Sequence, residues 1–127
     1  MQKNQNRPEV ERIQEALERY YIQGHVKYDP ELYREILHPA WKMFHLVEGK
    51  LELVDRDEFC RWYQPQNKPP GLVWDWELLE VDLTGTVAQA KLRLENQRDS
   101  YLDYLNLIKI DDRWWIVNKI YHEIKKT

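Results

Sequence analysis

Tyr101-Leu-Asp-Tyr-Leu-Asn-Leu-Ile-Lys-Ile-Asp-Asp-Arg-Trp-Trp-Ile-Val-Asn-Lys-Ile-Tyr-His-Glu-Ile124 is the stretch whose reading decides the fold. Both halves are rich in aromatic and β-branched residues, and Asp111-Asp112 is the only turn-forming pair between them, so the stretch reads as a β-hairpin. Alternation along the second arm puts Trp114, Ile116, Asn118, Ile120, His122 and Ile124 on one face. Trp115, Val117, Lys119, Tyr121, Glu123 and Lys125 then take the other. Asn118 and His122 interrupt a mostly apolar face. Burying them without partners is costly, so they either pair inside the protein or line a wet cavity.

Working back toward the N-terminus, Val73 to Leu83 and Thr86 to Gln97 read as two long strands joined at Thr84-Gly85. In the second of these, Ala88, Ala90, Leu92 and Leu94 alternate with Gln89, Lys91, Arg93 and Glu95, the pattern of a sheet covered on one face. In the first, Trp74, Trp76 and Leu78 share one face while Leu79, Val81 and Leu83 share the other. The phase flips at Leu78-Leu79, which predicts a β-bulge and a bent strand. A short hairpin precedes them, with Trp41, Met43, His45 and Val47 on one face of its first strand. Glu48-Gly49 forms the turn and Leu51 to Val54 the second strand.

Three helices are predicted. The first starts with Asn6 or Arg7 as cap and Pro8 in its first turn, behind frayed residues 1–6, and buries Val10, Ile13, Leu17, Tyr20 or Tyr21, and Gly24. The second has Asp29 as N-cap, Leu32, Tyr33, Ile36 and Leu37 inward, and a stop at Pro39 after His38. The third opens on a capping box, Asp55-Arg56-Asp57-Glu58, and carries Phe59, Trp62 and Tyr63 on its inner side. Helices first and a meander last predict a single α+β domain over residues 1–127, with helices on a strongly curved, mostly antiparallel sheet that leaves a conical pocket.

Composition narrows the function classes. In 127 residues there are 19 Lys and Arg against 22 Asp and Glu, net -3, with no basic stripe, which argues against a nucleic-acid partner. A lone Cys60 permits no internal disulfide, no apolar run is long enough to span a membrane, and a soluble cytoplasmic protein is expected. Four His without close spacing and that lone Cys make no recognisable metal-ligand set, and no cofactor motif is present. Six Trp and eight Tyr give much aromatic area, for a packed core or for the walls of a pocket.

The element order, with Tyr21 on the first helix, Asp29 before the second, His38-Pro39 before the first strand and the closing run from Asp103 to Lys119, resembles the nuclear transport factor 2-like superfamily of cystatin-like α+β cones. Within it, the closing run is similar to the bacterial lumazine-binding and SnoaL-like group. The superfamily includes ketosteroid isomerase, polyketide cyclases and dehydratases beside non-catalytic binding and assembly domains, so the fold alone does not name an activity. By position, the resemblance implies that Tyr21 matches the isomerase's oxyanion-donating Tyr and that His45 stands where its Asp base stands. Asn106 falls where its second oxyanion donor, a protonated Asp on the penultimate strand, would be. The sequence departs from the isomerase at two of these three positions.

If Tyr21, His45 and Asn106 share a cavity, they form a set suited to proton abstraction beside a carbonyl, or to dehydration. His45 would act as general base and the other two as hydrogen-bond donors. The alternative for each is structural: a half-buried His satisfied by neighbours, a core Tyr, an Asn paired with Asn118. Trp41, Trp62, Tyr63, Trp74, Trp76 and Trp114, with Asn118 and His122, are the candidate pocket walls for a small aromatic or polycyclic ligand. Val81, Leu83, Leu105, Leu107 and Val117 are expected on the open face of the sheet, where so apolar a patch predicts a homodimer. A small-molecule-binding domain is the favoured reading, with an isomerase, cyclase or dehydratase and a ligand-free assembly module as the alternatives.

Overall fold

The computed structural model describes residues 3–126, with side chains from Arg7 onward. Its elements, in chain order, are α1 (Lys3–Ala16), a π-helical turn (Leu17–Ile22), α2 (Gln23–Lys27), α3 (Pro30–Arg34), β1 (Leu37–Val47), β2 (Lys50–Asp55), α4 (Arg56–Trp62), a short 3-10 turn (Pro65–Asn67), β3 (Asp75–Thr84), β4 (Val87–Glu95), β5 (Asp99–Ile110) and β6 (Arg113–Lys125). The strands form one sheet in the order β2-β1-β6-β5-β4-β3, antiparallel throughout except where β1 runs parallel to β6. Helices cover one face of it, with α1 on β3, α3 on β1, and α4 on β1 and β2. The α+β architecture is therefore as expected.

The hairpin is where the sequence puts it. Asp111 and Asp112 have φ of 50° and 64°, the pair of left-handed residues that a two-residue turn requires, and they set Ile110 against Arg113. The first hairpin turns the same way at Glu48 (φ 51°) and Gly49 (φ 80°). Asp55 caps α4 by accepting the Glu58 N–H at 2.9 Å, and Asp29 caps α3 by accepting the Glu31 N–H at 3.1 Å. The bulge expected in β3 is present. Leu78 pairs with Leu92 and Glu80 with Lys91, leaving Leu79 as the extra residue.

Several expectations are corrected. The helical backbone begins at Lys3, so Pro8 lies inside α1 and neither Asn6 nor Arg7 is its cap, because the polar run before Pro8 contains no helix breaker. Of residues 1–6, expected to be frayed, 1 and 2 lie outside the described residues. The second helix ends at Arg34 and a strand has begun by Leu37, so Pro39 sits within β1, at an irregularity between Leu37 and Lys42 that takes it out of the ladder. His38 turns back to accept the Ala40 N–H at 2.9 Å, forming a local turn instead of a helix cap.

The largest correction lies in β6. Leu107 pairs with Ile116 but Asn106 pairs with Asn118, so Val117 is an extra residue and the side-chain phase reverses there. Up to the bulge Trp114 and Ile116 face inward; beyond it Lys119, Tyr121 and Glu123 do, and Asn118, Ile120, His122 and Ile124 move to the outer face. The dimer patch expected on the open face of the sheet is also corrected. Leu105 and Leu107 are buried in the core, Val81 and Leu83 pack against it, and Val117 is half-buried. The apolar residues that do lie open on the outer face include Phe44, Leu46, Leu53, Tyr104, Ile108 and Ile120. No helix among the described residues is long and apolar enough to cross a membrane.

Candidate functional site

The π-helical turn decides what α1 offers the interior. One added residue in the helical repeat brings Leu17, Tyr21 and Ile22 inward together, and α2 adds Gly24 and His25. Gly24 makes a close approach possible: a Cβ there would meet the Tyr33 ring and backbone at 3.1 Å. With Tyr33 seated so closely, its hydroxyl lies 2.8 Å from His25 Nδ1.

Tyr21 then donates from its hydroxyl to Asp103 Oδ2 at 2.7 Å. Asp103 comes from the inward face of β5, and Lys119, the next inward residue of β6 after the bulge, puts Nζ 3.6 Å from the same oxygen. Both partners are almost fully buried, Asp103 at 1% and Lys119 at 5% exposure. The ammonium sits among three rings, 4.9 Å from the centre of Phe59, 5.2 Å from Tyr121 and 5.4 Å from Tyr21. Asp103 Oδ1 is buried and has no hydrogen-bond partner among the described residues. For a carboxylate oxygen this is a costly state, and it marks a place where an incoming donor would be bound well.

Asp103 and Lys119 border a cavity of about 120 Å³, whose other walls include His25, Tyr63, Trp62 and Tyr101. Burial raises the Tyr21 hydroxyl pKa well above its usual value, and the Asp103 charge adds to that. Burial lowers Lys119, with Asp103 pulling the other way. His25 is pushed down to about 3, mainly by burial and further by the Lys119 charge, so its ring is neutral at pH 7. The cavity thus holds one ion pair, a neutral imidazole and several unionised phenols. It can accept a hydrogen bond at Asp103, donate one from Lys119, and stack a flat group on its rings.

The residues expected at the site are divided by this geometry. Trp62 and Tyr63 line the cavity, and Tyr21 reaches it through Asp103. His45 stands just behind, with Nδ1 3.2 Å from the Tyr121 hydroxyl and Nε2 3.6 Å from Glu52. Trp74 packs edge-on to His25 with ring centres 4.6 Å apart. Trp41 is fully buried against Phe59, and Trp76, paired with Leu94, is 37% exposed. Trp114 lies away from the cavity and donates its indole N–H to Glu9 at 2.7 Å.

Asn106, Asn118 and His122 do not join the site. They lie on the outer face of the sheet, where Gln89 donates to Asn106 and Asn106 to Asn118, each at 3.2 Å, and Asn118 donates to the Lys42 carbonyl at 3.3 Å. The set Tyr21, His45 and Asn106 is therefore not assembled. The inward carboxyl on the penultimate strand is Asp103, three residues earlier. Sequence reading also passed over His25, Lys119, Tyr101, Tyr121 and Glu123. The signal for Asp103 and Lys119 was present, since a charged residue inside each arm of an apolar hairpin calls for a partner, and the two have opposite sign. Among the described residues no group of three or more His, Cys, Asp or Glu is arranged to hold a metal ion.

Comparison with known proteins agrees with the fold. The profile of a family described as "Putative lumazine-binding" matches residues 8–122. A nuclear transport factor 2-like protein of unknown function from Silicibacter pomeroyi superposes with a TM-score of 0.82 at 18% identity, covering 98% of this chain and 100% of its own. A second such protein, from Shewanella baltica, gives 0.82 at 23% identity, with 99% of each chain covered. Among curated proteins, "Aldolase FrzH" from Cladobotryum sp is 20% identical over 102 residues, 80% of this chain and 82% of the relative.

Proposed function

The chain belongs to the family described as "Putative lumazine-binding", and from that premise we propose that its cavity binds a small, flat, polar molecule seated between Asp103 and Lys119. The observation that carries this reading is Asp103 Oδ1, a buried carboxylate oxygen without a hydrogen-bond partner among the described residues, on a residue that borders the cavity. A ring N–H would satisfy it, while a ring carbonyl would accept from Lys119. The fused pyrimidinedione of a lumazine offers both groups on one edge, and the aromatic walls suit its faces.

Size sets a bound on the ligand. About 120 Å³ is well under the roughly 300–1,000 Å³ of pockets that hold drug-sized ligands. A compact mono- or bicyclic compound therefore fits this reading better than a steroid-like polycycle. Titration calorimetry with lumazine and smaller pyrimidinediones tests it. Binding should weaken about 10–100-fold in Asp103→Asn, the range expected for losing a hydrogen bond to a charged acceptor. Equal affinity in wild type and variant would remove Asp103 from the site.

A second reading, catalysis beside a carbonyl in the same cavity, is supported by the three ionisable groups that meet there and by the likeness to a protein named as an aldolase. His45 as its general base is the weaker form of this reading, since its ring is tied to Tyr121 through Nδ1 and the residue is not among those lining the cavity.

The apolar outer face supports a homodimer. Leu46 is 70% and Leu53 53% exposed there, and a two-fold contact would cover the patch with its own copy. Sedimentation should give a dimer at micromolar concentration and a monomer for Ile120→Asp; a monomeric wild type would end this part of the proposal. Cys60, a free buried thiol, supports a reducing compartment such as the cytoplasm.

A further inference from the structure

We infer that Lys119 is a carbonyl-capturing amine: the cavity takes small aldehydes or ketones and condenses them with Lys119 Nζ as an imine. This rests on the reading of the cavity as a small-molecule site and names its substrate class. A lysine that merely neutralised Asp103 could stand anywhere on the carboxylate. Here Lys119 lines the cavity and its Nζ is ringed by Phe59, Tyr121 and Tyr21, with 5% of the residue exposed. Burial takes the ammonium out of water and so favours an uncharged nitrogen, against the pull of Asp103 and the ring faces toward the charged form.

The proton traffic has a route. Asp103 Oδ2, 3.6 Å from Nζ, can take a proton from the ammonium, and the freed lone pair attacks the carbonyl carbon. As the C–N bond forms, the carbonyl π-electrons move to oxygen, which takes up that proton to give the carbinolamine. A second proton leaves nitrogen by the same carboxylate and reaches the hydroxyl, which departs as water while the C=N bond forms. Ammonium and carbonyl have become iminium and water, with charge and atoms conserved and no redox partner needed. Tyr21, fixed at 2.7 Å on the same Oδ2, holds the carboxylate in place through both transfers. It is a positioning residue in this scheme.

Reduction with borohydride in the presence of propanal, butanone or pyruvate tests the inference on the intact protein. Intact-mass and peptide mapping should find one reduced adduct on Lys119, formed at pH 7 ahead of any on exposed Lys125, since burial lowers the Lys119 pKa and so raises its neutral amine fraction. Lys119→Arg, which keeps the charge, should abolish it, and mapping on wild type identifies the site even if that variant folds poorly. Carbonyl compounds that raise the wild-type melting temperature without an adduct at Lys119 would overturn the imine and leave the binding reading standing. Adducts confined to exposed lysines, with no change in melting, would overturn both.

Discussion

Lys119→Met should destabilise the protein by about 3–5 kcal/mol, the cost of leaving one member of a buried ion pair without its counter-charge. For a chain of this length that corresponds to a fall of roughly 10–20 °C in melting temperature. Asp103 would keep only the Tyr21 hydroxyl, with Oδ1 already lacking a partner among the described residues. The informative companion is the double variant Asp103→Leu/Lys119→Met. Replacing both charges with apolar groups removes the desolvation penalty as well as the attraction, so it should recover most of the loss, and it can equal or exceed wild type. Chemical denaturation of the four proteins in the cycle gives the coupling directly. A double variant as unstable as the single would show that packing, not charge, governs this spot. If the double variant is stable yet no longer responds to ligand, the pair is present for binding, because stability would have been served as well without it.

What the sequence discloses and what it conceals divide along a physical line. Asp111-Asp112, Glu48-Gly49, Asp29 and the Asp55–Glu58 box act within four residues of themselves, so their roles follow from local chemistry. The β3 bulge was legible because apolar residues sit on both sides of it, and Leu78-Leu79 breaks the alternation visibly. The β6 bulge at Val117 was not. Each face of that arm carries both apolar and polar residues, so either phase gives a plausible strand, and only pairing with β5 fixes which is inside. That one residue moved Asn118 and His122 out of the site and brought Lys119 and Tyr121 in. The π-helical turn was concealed for a similar reason: Tyr20 and Tyr21 are interchangeable in a helical repeat until tertiary packing selects one.

These two irregularities act together on the site. An added residue in the first helix aims Tyr21 inward, an added residue in the last strand aims Lys119 inward, and Asp103 lies between them on a strand with regular alternation. Fold-level likeness supplies the scaffold, while the particular chemistry of this cavity depends on where the regular repeat is broken.

His25 gives the second large effect, and its sign follows from linkage. The ring is neutral in the fold, with its pKa lowered to about 3 by burial and by the Lys119 charge, while in the unfolded chain it returns to about 6.5. Between those values the unfolded state binds the extra proton, so stability is complete above about pH 6.5 and falls as the pH drops toward 3. The slope approaches about 1.4 kcal/mol per pH unit, or about 3 kcal/mol lost by pH 4.5. Glu9, Asp57, Glu95 and Asp112 also have lowered pKa values and add their own losses, but as carboxylates they do so mainly below pH 4.5. Urea midpoints measured from pH 7 to 4.5 should therefore decline in wild type and stay nearly level in His25→Gln. Parallel profiles for the two proteins would show that His25 takes up its proton without unfolding anything. Because His25 and Lys119 border the same cavity, a bound anion would oppose that loss, and an anionic ligand should flatten the wild-type profile where a neutral one only raises it.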